Sequence, residues 1–515
     1  MSKYFFLLRQ APVLFLSLLF LPFLTARARP ASVSYERFGA VGDGVHDDQA
    51  AIVKAHAFAN SRNLPVRATP GKTYYIGGGS EVAVIMTDVD FTGARFLIDD
   101  TACSNYKKPV FFVRSRSASH AVEGVASLRA GQHELGVTLP ARSLLVVEDN
   151  TVRVYIRKGA NQNSGVPKSE VFIADASGRI EESCAPVWDY DHVTSLKAYP
   201  IDAEPLVIRG GTFITLANRA ESKYNYHARN FQIERSNVRV EGLTHLVSGE
   251  GDHGAPYNGF LNVDRAAEVL VEGCVLTGHK TYVTIGSAGV PVSMGSYDLT
   301  AGRSARLRVL HCRQTNDIDD STWWGLFASN FCKEIYFEDC VFSRFDAHMG
   351  VKDITLKDCT FGYMGVQAVG FGTMTLERCE IHRHCMILLR PDYGSFWEGE
   401  VAIRHCRLVP PAGSRSVSLI SGSNDGTHDF GYPCCLPSSV TVDGLEIDDV
   451  SLKDRPGYAG PAVFASFDRK PSPEGLLPLR AEGTIRLGGV RVVSGKELLI
   501  SPNPGLVKDY GVIVE

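Results

Sequence analysis

The sequence predicts an all-β solenoid, a stack of coils built from short parallel strands. A phrase of the form apolar-x-apolar-x-x-Cys-x-apolar recurs at 269–276, 335–342, 354–361, 374–381 and 401–408, and 307–314 departs from it only at its last position. Leu243, Leu445 and Val490 stand in the Cys slot of three further copies. Recurrence at tens of residues marks a repeat architecture. The period-two alternation of the first apolar residues marks a strand.

Bulk properties narrow the class. The formal net charge is -4, without the basic surplus of a nucleic-acid binder. Lys3 and Arg9 precede or flank the apolar run 11–24, and Ala26-Arg27-Ala28 supplies a cleavage signal. A leader peptide over 1–28 is therefore expected, sending the protein to a secreted or periplasmic location. The run is too short for a membrane span, and no later run is long enough. Twelve cysteines in an oxidising compartment would ordinarily pair. Six of them share one repeat slot with Leu and Val, which predicts a buried ladder of free thiols acting as small apolar groups. Cys332, Cys385, Cys434 and Cys435 stand outside that ladder.

Residues 35–52 read YERFGAVGDGVHDDQAAI. Gly42 and Gly44 permit a tight turn. Asp47 or Asp48 can cap a helix that places Ala51, Ile52, Ala55, Phe58 and Ala59 on one face. Residues 71–76 then return as a strand. This stretch resembles the N-terminal motif of pectate-lyase-like proteins, polygalacturonases and phage tailspikes. The resemblance implies a right-handed parallel β-helix, a pectin-lyase-like solenoid whose open end this capping helix closes. It also implies structural roles for Asp43, Asp47 and Asp48. Lyases, hydrolases and binding proteins share that superfamily, so it implies no single reaction.

The repeat is absent from 110 to 205, where 143–147, 153–156 and 170–174 look like ordinary strands and 161–165 like a loop tip. The expected organisation is a leader at 1–28, a cap with the first coils at 29–109, a β-rich insertion or accessory domain at 110–205, and the main β-helix at 206–515. Successive Cys slots measure the coils. Cys340 to Cys359 spans 19 residues and Cys359 to Cys379 spans 20, whereas Cys274 to Cys312 spans 38 and Cys406 to Leu445 spans 39. Tight coils flanked by loop-bearing coils predict a groove, and loops on a rigid scaffold carry function.

Equal offsets from the slot become neighbours on stacked coils. This ruler gathers Asp317, Asp319, Asp320, Arg344, Asp346, His348, Gln367, His382 and His384. Asn330, Lys352, Arg390, Asp392, Tyr393, Trp397 and Glu398 lie further along the same coils, and Trp323 and Trp324 follow the acidic run. Rings beside charged groups suit a carbohydrate, whose C–H face stacks while its hydroxyls seek polar partners. Glycoside hydrolysis needs paired carboxyl groups, and the expected catalytic set is Asp320, Asp346, His348 and Asp392. Trp323, Trp324, Asn330, Arg344, Gln367, His384, Arg390, Tyr393 and Trp397 are the expected substrate-binding set.

Two alternatives stay open. A polysaccharide lyase acting on a uronate-containing glycan could draw its base and cations from Arg344, Lys352, Arg390, His348 and Tyr393. Asp317, Asp319 and Asp320 would then be candidates for calcium, whereas the hydrolase reading needs no cofactor. A non-catalytic glycan-binding β-helix of the tailspike or adhesin kind is the third reading, with a monomer or a trimer as its state. Asn316-Asp317 and Asp319-Asp320 are faintly similar to polygalacturonase elements. Their spacing departs from that pattern, and the Gly-His-Gly and Arg-x-Lys elements are missing. No catalytic residue carries over from the resemblance.

Overall fold

The computed structural model of the chain describes residues 32–79, 81–467 and 476–515. The expected leader at 1–28 lies outside the described residues. Three parallel sheets run the length of the molecule, and each coil contributes one strand to each, so the fold is the expected parallel β-helix. The first sheet stacks Val66–Arg67, Val89–Asp90, Leu206–Arg209, Val238–Glu241, Ala267–Glu272, Ala305–Leu310 and Lys333–Glu338. The second begins with Asp43–Asp47, Thr73–Ile76, Arg95–Asp99, Thr212–Leu216 and Thr244–Ser248. The third stacks Ala83–Ile85, Phe111–Arg114, Phe231–Glu234, Leu261–Asp264, Leu299–Gly302 and Phe327–Asn330. In the two tight coils, Val341–Lys357 and Thr360–Glu377 run unbroken through all three sheets.

The repeated phrase is the corner between the first and second sheets. Its residue just before the slot is left-handed in every copy: Gly242, Gly273, His311, Asp339, Asp358, Arg378, His405, Gly444 and Gly489 have φ between 48° and 70°. One such residue turns the chain and aims the next side chain inward. Cys274, Cys312, Cys340, Cys359, Cys379 and Cys406 are accordingly buried, as are Leu243 and Leu445. All twelve cysteines are free. Aromatic ladders fill the N-terminal coils, where Phe96 stacks on Phe213 at 4.6 Å and Phe111 on Phe231 at 4.5 Å.

The helix Gln49–Arg62 buries Ala51, Ile52, Ala55 and Ala59 at the N-terminal end of the stack. Asp47 Oδ1 accepts the Gln49 amide at 3.0 Å at the start of the helix. Asp48 instead turns back to hold the preceding turn, accepting from Val41 N at 2.6 Å and Gly42 N at 3.2 Å. Asp43 accepts from the amides of Val45 and His46 in its own turn.

Between Arg114 and Leu206 the chain leaves the solenoid. Phe111–Arg114 still pair in parallel with the third sheet, so the departure begins a few residues later than position 110. Val166–Ala174, Ser143–Val154, Ser195–Pro200 and His120–Ala121 form a separate antiparallel sheet in that order. It is pinned to the first sheet by the buried Lys333, whose Nζ donates to Glu170 at 2.7 Å and to the carbonyls of Cys184 and Ala185. Among the described residues, no helix is long and apolar enough to cross a membrane.

The corner geometry makes a clean prediction at Gly242, where a Cβ would meet nothing within 4 Å. Backbone strain alone separates substitutions there. Gly242→Val should cost roughly 1–2 kcal/mol and Gly242→Asn distinctly less, as read by urea unfolding.

Candidate functional site

The outer face of the third sheet carries the site. Asn262, Thr300, Ala328, Asp346 and Gln367 are register neighbours on successive coils, while Leu261 and Val263 alternate with them into the core. Gly302 and Asn330 form the next outward positions beside Asp264. The small residues Thr300, Gly302 and Ala328 leave a hollow, and loops wall it into a cleft of about 510 Å³. Arg344, Asn330, His348, Arg390 and Trp324, all expected from the sequence, line it. One wall requires glycine: a Cβ at Gly295 would lie 2.4 Å from Trp324 Cβ.

Beneath the cleft runs a chain of alternating charge. Asp346, fully buried, accepts at Oδ2 from Arg344 Nη2 at 2.6 Å, Arg390 Nη1 at 2.6 Å and the Tyr297 hydroxyl at 2.8 Å. Arg390 also donates to Asp392 at 2.9 Å, and Asp392 pairs with Arg157 at 2.7 Å. Burial by itself would raise the Asp346 carboxyl, but the Arg344 and Arg390 charges overcome it and hold the group far below the usual carboxylate range. The same opposition, with Arg390 and Arg157, lowers Asp392. Both carboxylates are locked in the ionised state, which unfits them to give a proton to a leaving sugar.

Arg344 is held between two rings at the cleft wall. Its guanidinium lies 5.1 Å from the ring centres of both Tyr297 and Trp324. Gln367, buried behind it, accepts from its Nη2 at 3.1 Å. Although Arg344 is only 3% exposed, its Nε and Nη1 have no acceptor among the described residues. Buried donors left unmet are costly.

His348 lines the same cleft. Its Nδ1 is 2.8 Å from Asn330 Oδ1, and a carboxamide oxygen can only accept, so Nδ1 carries the proton and Nε2 keeps a bare lone pair. Burial, reinforced by Arg390, pushes its pKa down to about 3 and keeps the ring neutral. Tyr393 packs edge-on against it at 5.3 Å and lies under Arg390 and Arg157.

Several expected residues are elsewhere. Asp320 is not a neighbour of Asp346; Ala328 is. The coil after Cys312 carries a loop at 315–325, so equal offsets fail across it. Asp320 instead accepts the Thr322 amide at 2.8 Å in that loop. The ruler also pairs His348 with Gln367, whereas Asp346 is the true partner. Phe342 pairs with Phe361 but Arg344 with Gly365, a two-residue slip. Trp397 is fully buried in the solenoid core, its Nε1 donating to the Gly372 carbonyl, and cannot touch a sugar in the cleft. Trp323 pairs with Lys280 through the backbone and receives the Tyr363 hydroxyl at its carbonyl, outside the cleft lining. His384 is half-buried and also outside the lining. Lys352 turns toward the insertion and donates to the Ser183 carbonyl.

The calcium alternative lacks a convergent ligand set. Asp317 accepts the Asp319 amide, Asp319 pairs with His382 at 2.8 Å, and Asp320 is spent on its own turn. Among the described residues, no three His, Cys, Asp or Glu side chains come together as a metal cage. The sequence reading missed Tyr297, Asp264, Arg157, Asn161, Tyr224 and Tyr226, all in the lining. Burial raises the Asp264 carboxyl.

No protein-family model matches the chain, and no curated protein sequence matches it. Among solved structures it is similar to the tailspike gp61 of Pseudomonas phage phi297, with a TM-score of 0.55 and 12% identity over 93% of this chain and 84% of that one. It is also similar to the Gp54 tailspike of Acinetobacter baumannii bacteriophage AP22, solved in complex with A. baumannii capsular saccharide. There the TM-score is 0.50 and the identity 9%, over 93% of this chain and 79% of that one. At such identities the likeness is one of fold.

Removing the central anion should expose the strength of the charge chain. Asp346→Asn leaves Arg344 buried without its carboxylate and should cost about 3 kcal/mol of unfolding free energy. Asp320→Asn should leave the denaturation midpoint where it was. Equal behaviour of the two variants in chemical denaturation would contradict the described network.

Proposed function

We propose that this protein cleaves an acidic polysaccharide by β-elimination in the cleft above Arg344. The observation that carries the reading is the ring-sandwiched Arg344 in a cleft it shares with a neutral histidine whose Nδ1 is held by Asn330, leaving Nε2 as the basic nitrogen. A uronate carboxylate docked at Arg344 would bring negative charge into the cleft and oppose Arg390 and Arg157, which add to burial in depressing His348. His348 Nε2 then takes the proton at C5, the electron pair forms the C4=C5 double bond, and the C4–O bond breaks. The departing oxygen takes its proton from solvent. Arg344 stabilises the negative charge that develops on the carboxylate side. The capsular saccharide bound by the AP22 tailspike supports a carbohydrate as the ligand class of such a scaffold.

Hydrolysis by paired carboxylates is the second reading. Asp346 and Asp392 do not favour it, because a general acid needs a raised pKa. Asp264 does, because it lines the cleft and burial raises its carboxyl.

Two measurements separate the readings. Elimination gives a conjugated product that absorbs in the ultraviolet, and His348→Gln should abolish that signal while the protein stays folded. Reducing ends without absorbance would mean hydrolysis, and binding without any product would mean a lectin-like role. The base must be neutral, and the free-enzyme pKa of His348 is about 3. The kcat/KM profile should therefore stay flat from about pH 7 down to about pH 5, where an ordinary histidine would already have lost most activity. A fall centred near pH 6.5 would contradict the assignment.

A further inference from the structure

The insertion reaches into the cleft. Its strands Ser143–Val154 and Val166–Ala174 pair with each other, and the arm joining them, 155–165, leaves its own sheet to lie across the solenoid. Ile156 N donates to the Phe430 carbonyl at 3.1 Å and Lys158 N to the Asp392 carbonyl at 3.0 Å. At the tip, Ala288 N donates to the Ala160 carbonyl at 3.0 Å, tying the arm to the hairpin formed by Tyr282–Ile285 and Pro291–Met294. These contacts fix the arm at both ends. It is a wall of the cleft, with Arg157 and Asn161 in the lining.

Arg157 repeats the design of Arg344. A half-buried carboxylate holds one end, since Asp392 lies 2.7 Å from its Nη2. An aromatic ring backs it, with Tyr393 at 5.4 Å. Its Nε is buried and has no acceptor among the described residues. Beside it, the Asn161 amide donates to the Tyr224 hydroxyl at 3.0 Å. The rings of Tyr224 and Tyr226 lie nearly parallel, 6.3 Å apart, and are 44% and 37% exposed although they line a cleft. Exposed, aligned aromatic faces next to an unsatisfied cation suit the C–H face and the carboxylate of one sugar unit.

We infer that Arg157, Asn161, Tyr224 and Tyr226 form a second sugar subsite, which takes an acidic residue of the glycan chain adjacent to the unit held at Arg344. The insertion is thereby a specificity element, because its arm supplies the second cation. This inference rests on the acidic-glycan reading, but it assigns residues that the reaction at Arg344 and His348 does not use.

The test is calorimetric binding of the intact protein to polygalacturonate, alginate and hyaluronan, followed by short and long oligosaccharides of whichever binds. Arg157→Gln and Tyr224→Ala should leave the shortest bound oligosaccharide unaffected and weaken the long one about tenfold. Arg344→Gln should weaken both. Tyr224 is exposed, so its variant reports on the subsite even if Arg157→Gln perturbs the arm. Long-chain affinity within about twofold of wild type in both arm variants, with Arg344→Gln still defective, would overturn the subsite and leave the acidic-glycan reading in place. Failure of all three polyanions to bind would overturn both.

Discussion

Five charged side chains, alternating in sign from Arg344 through Asp346, Arg390 and Asp392 to Arg157, decide what the cleft can be. Two carboxylates lie between three guanidiniums, so the chain carries one excess positive charge, and the two terminal guanidiniums both line the cleft. Burying such a set costs desolvation at every member. The short contacts and the shared Asp346 oxygen offset part of that cost. The members come from distant parts of the sequence. Arg344 and Asp346 lie on a tight coil, Arg390 and Asp392 two coils further on, and Arg157 on the arm of the insertion. The ion chain therefore also fastens the insertion to the solenoid.

The solenoid supplies the rigidity this arrangement needs. At the corner between the first and second sheets each coil turns on one left-handed residue and buries the side chain after it, and the coil from Cys340 to Cys359 takes only 19 residues. Val341–Lys357 and Thr360–Glu377 leave no slack between sheets, and Arg344, Asp346 and His348 are held on one of them. Function sits where this stiff floor meets loops from neighbouring coils.

The fold was legible because the corner repeats. The left-handed position admits Gly, Asp, His or Arg, while the slot after it admits Cys, Leu or Val, and together they print a phrase that survives variation elsewhere. The same phrase gave a ruler that correctly brought Arg344, Asp346, Gln367 and, through the next strand, Asn330 and His348 to one place. It failed wherever the chain between rungs changed length. The loop 315–325 put Asp320 and Trp323 off the sheet, and two extra residues before Gly365 shifted the partner of Gln367. Trp397 was misplaced for a different reason: a tryptophan in a strand looks the same in sequence whether its ring points in or out. Arg157 and Asn161 were out of reach altogether, since nothing in residues 155–165 says which distant coil the arm will cross.

Asp320, Asp346 and Asp392 are the carboxylates the sequence offers for acid and base work; in the structure Asp346 and Asp392 hold guanidiniums, and the cleft is lined by cations, amides, rings, the Asp264 carboxyl and one neutral imidazole. On the proposed function, such a lining would favour negative charge on the glycan. The most direct test compares a bound polyuronate with the same polymer after reduction of its carboxyl groups to alcohols, measured by calorimetry with wild-type protein. The account predicts that the acidic polymer binds with an affinity that falls as salt is added and that the reduced polymer does not bind. Equal affinity for the two would contradict it.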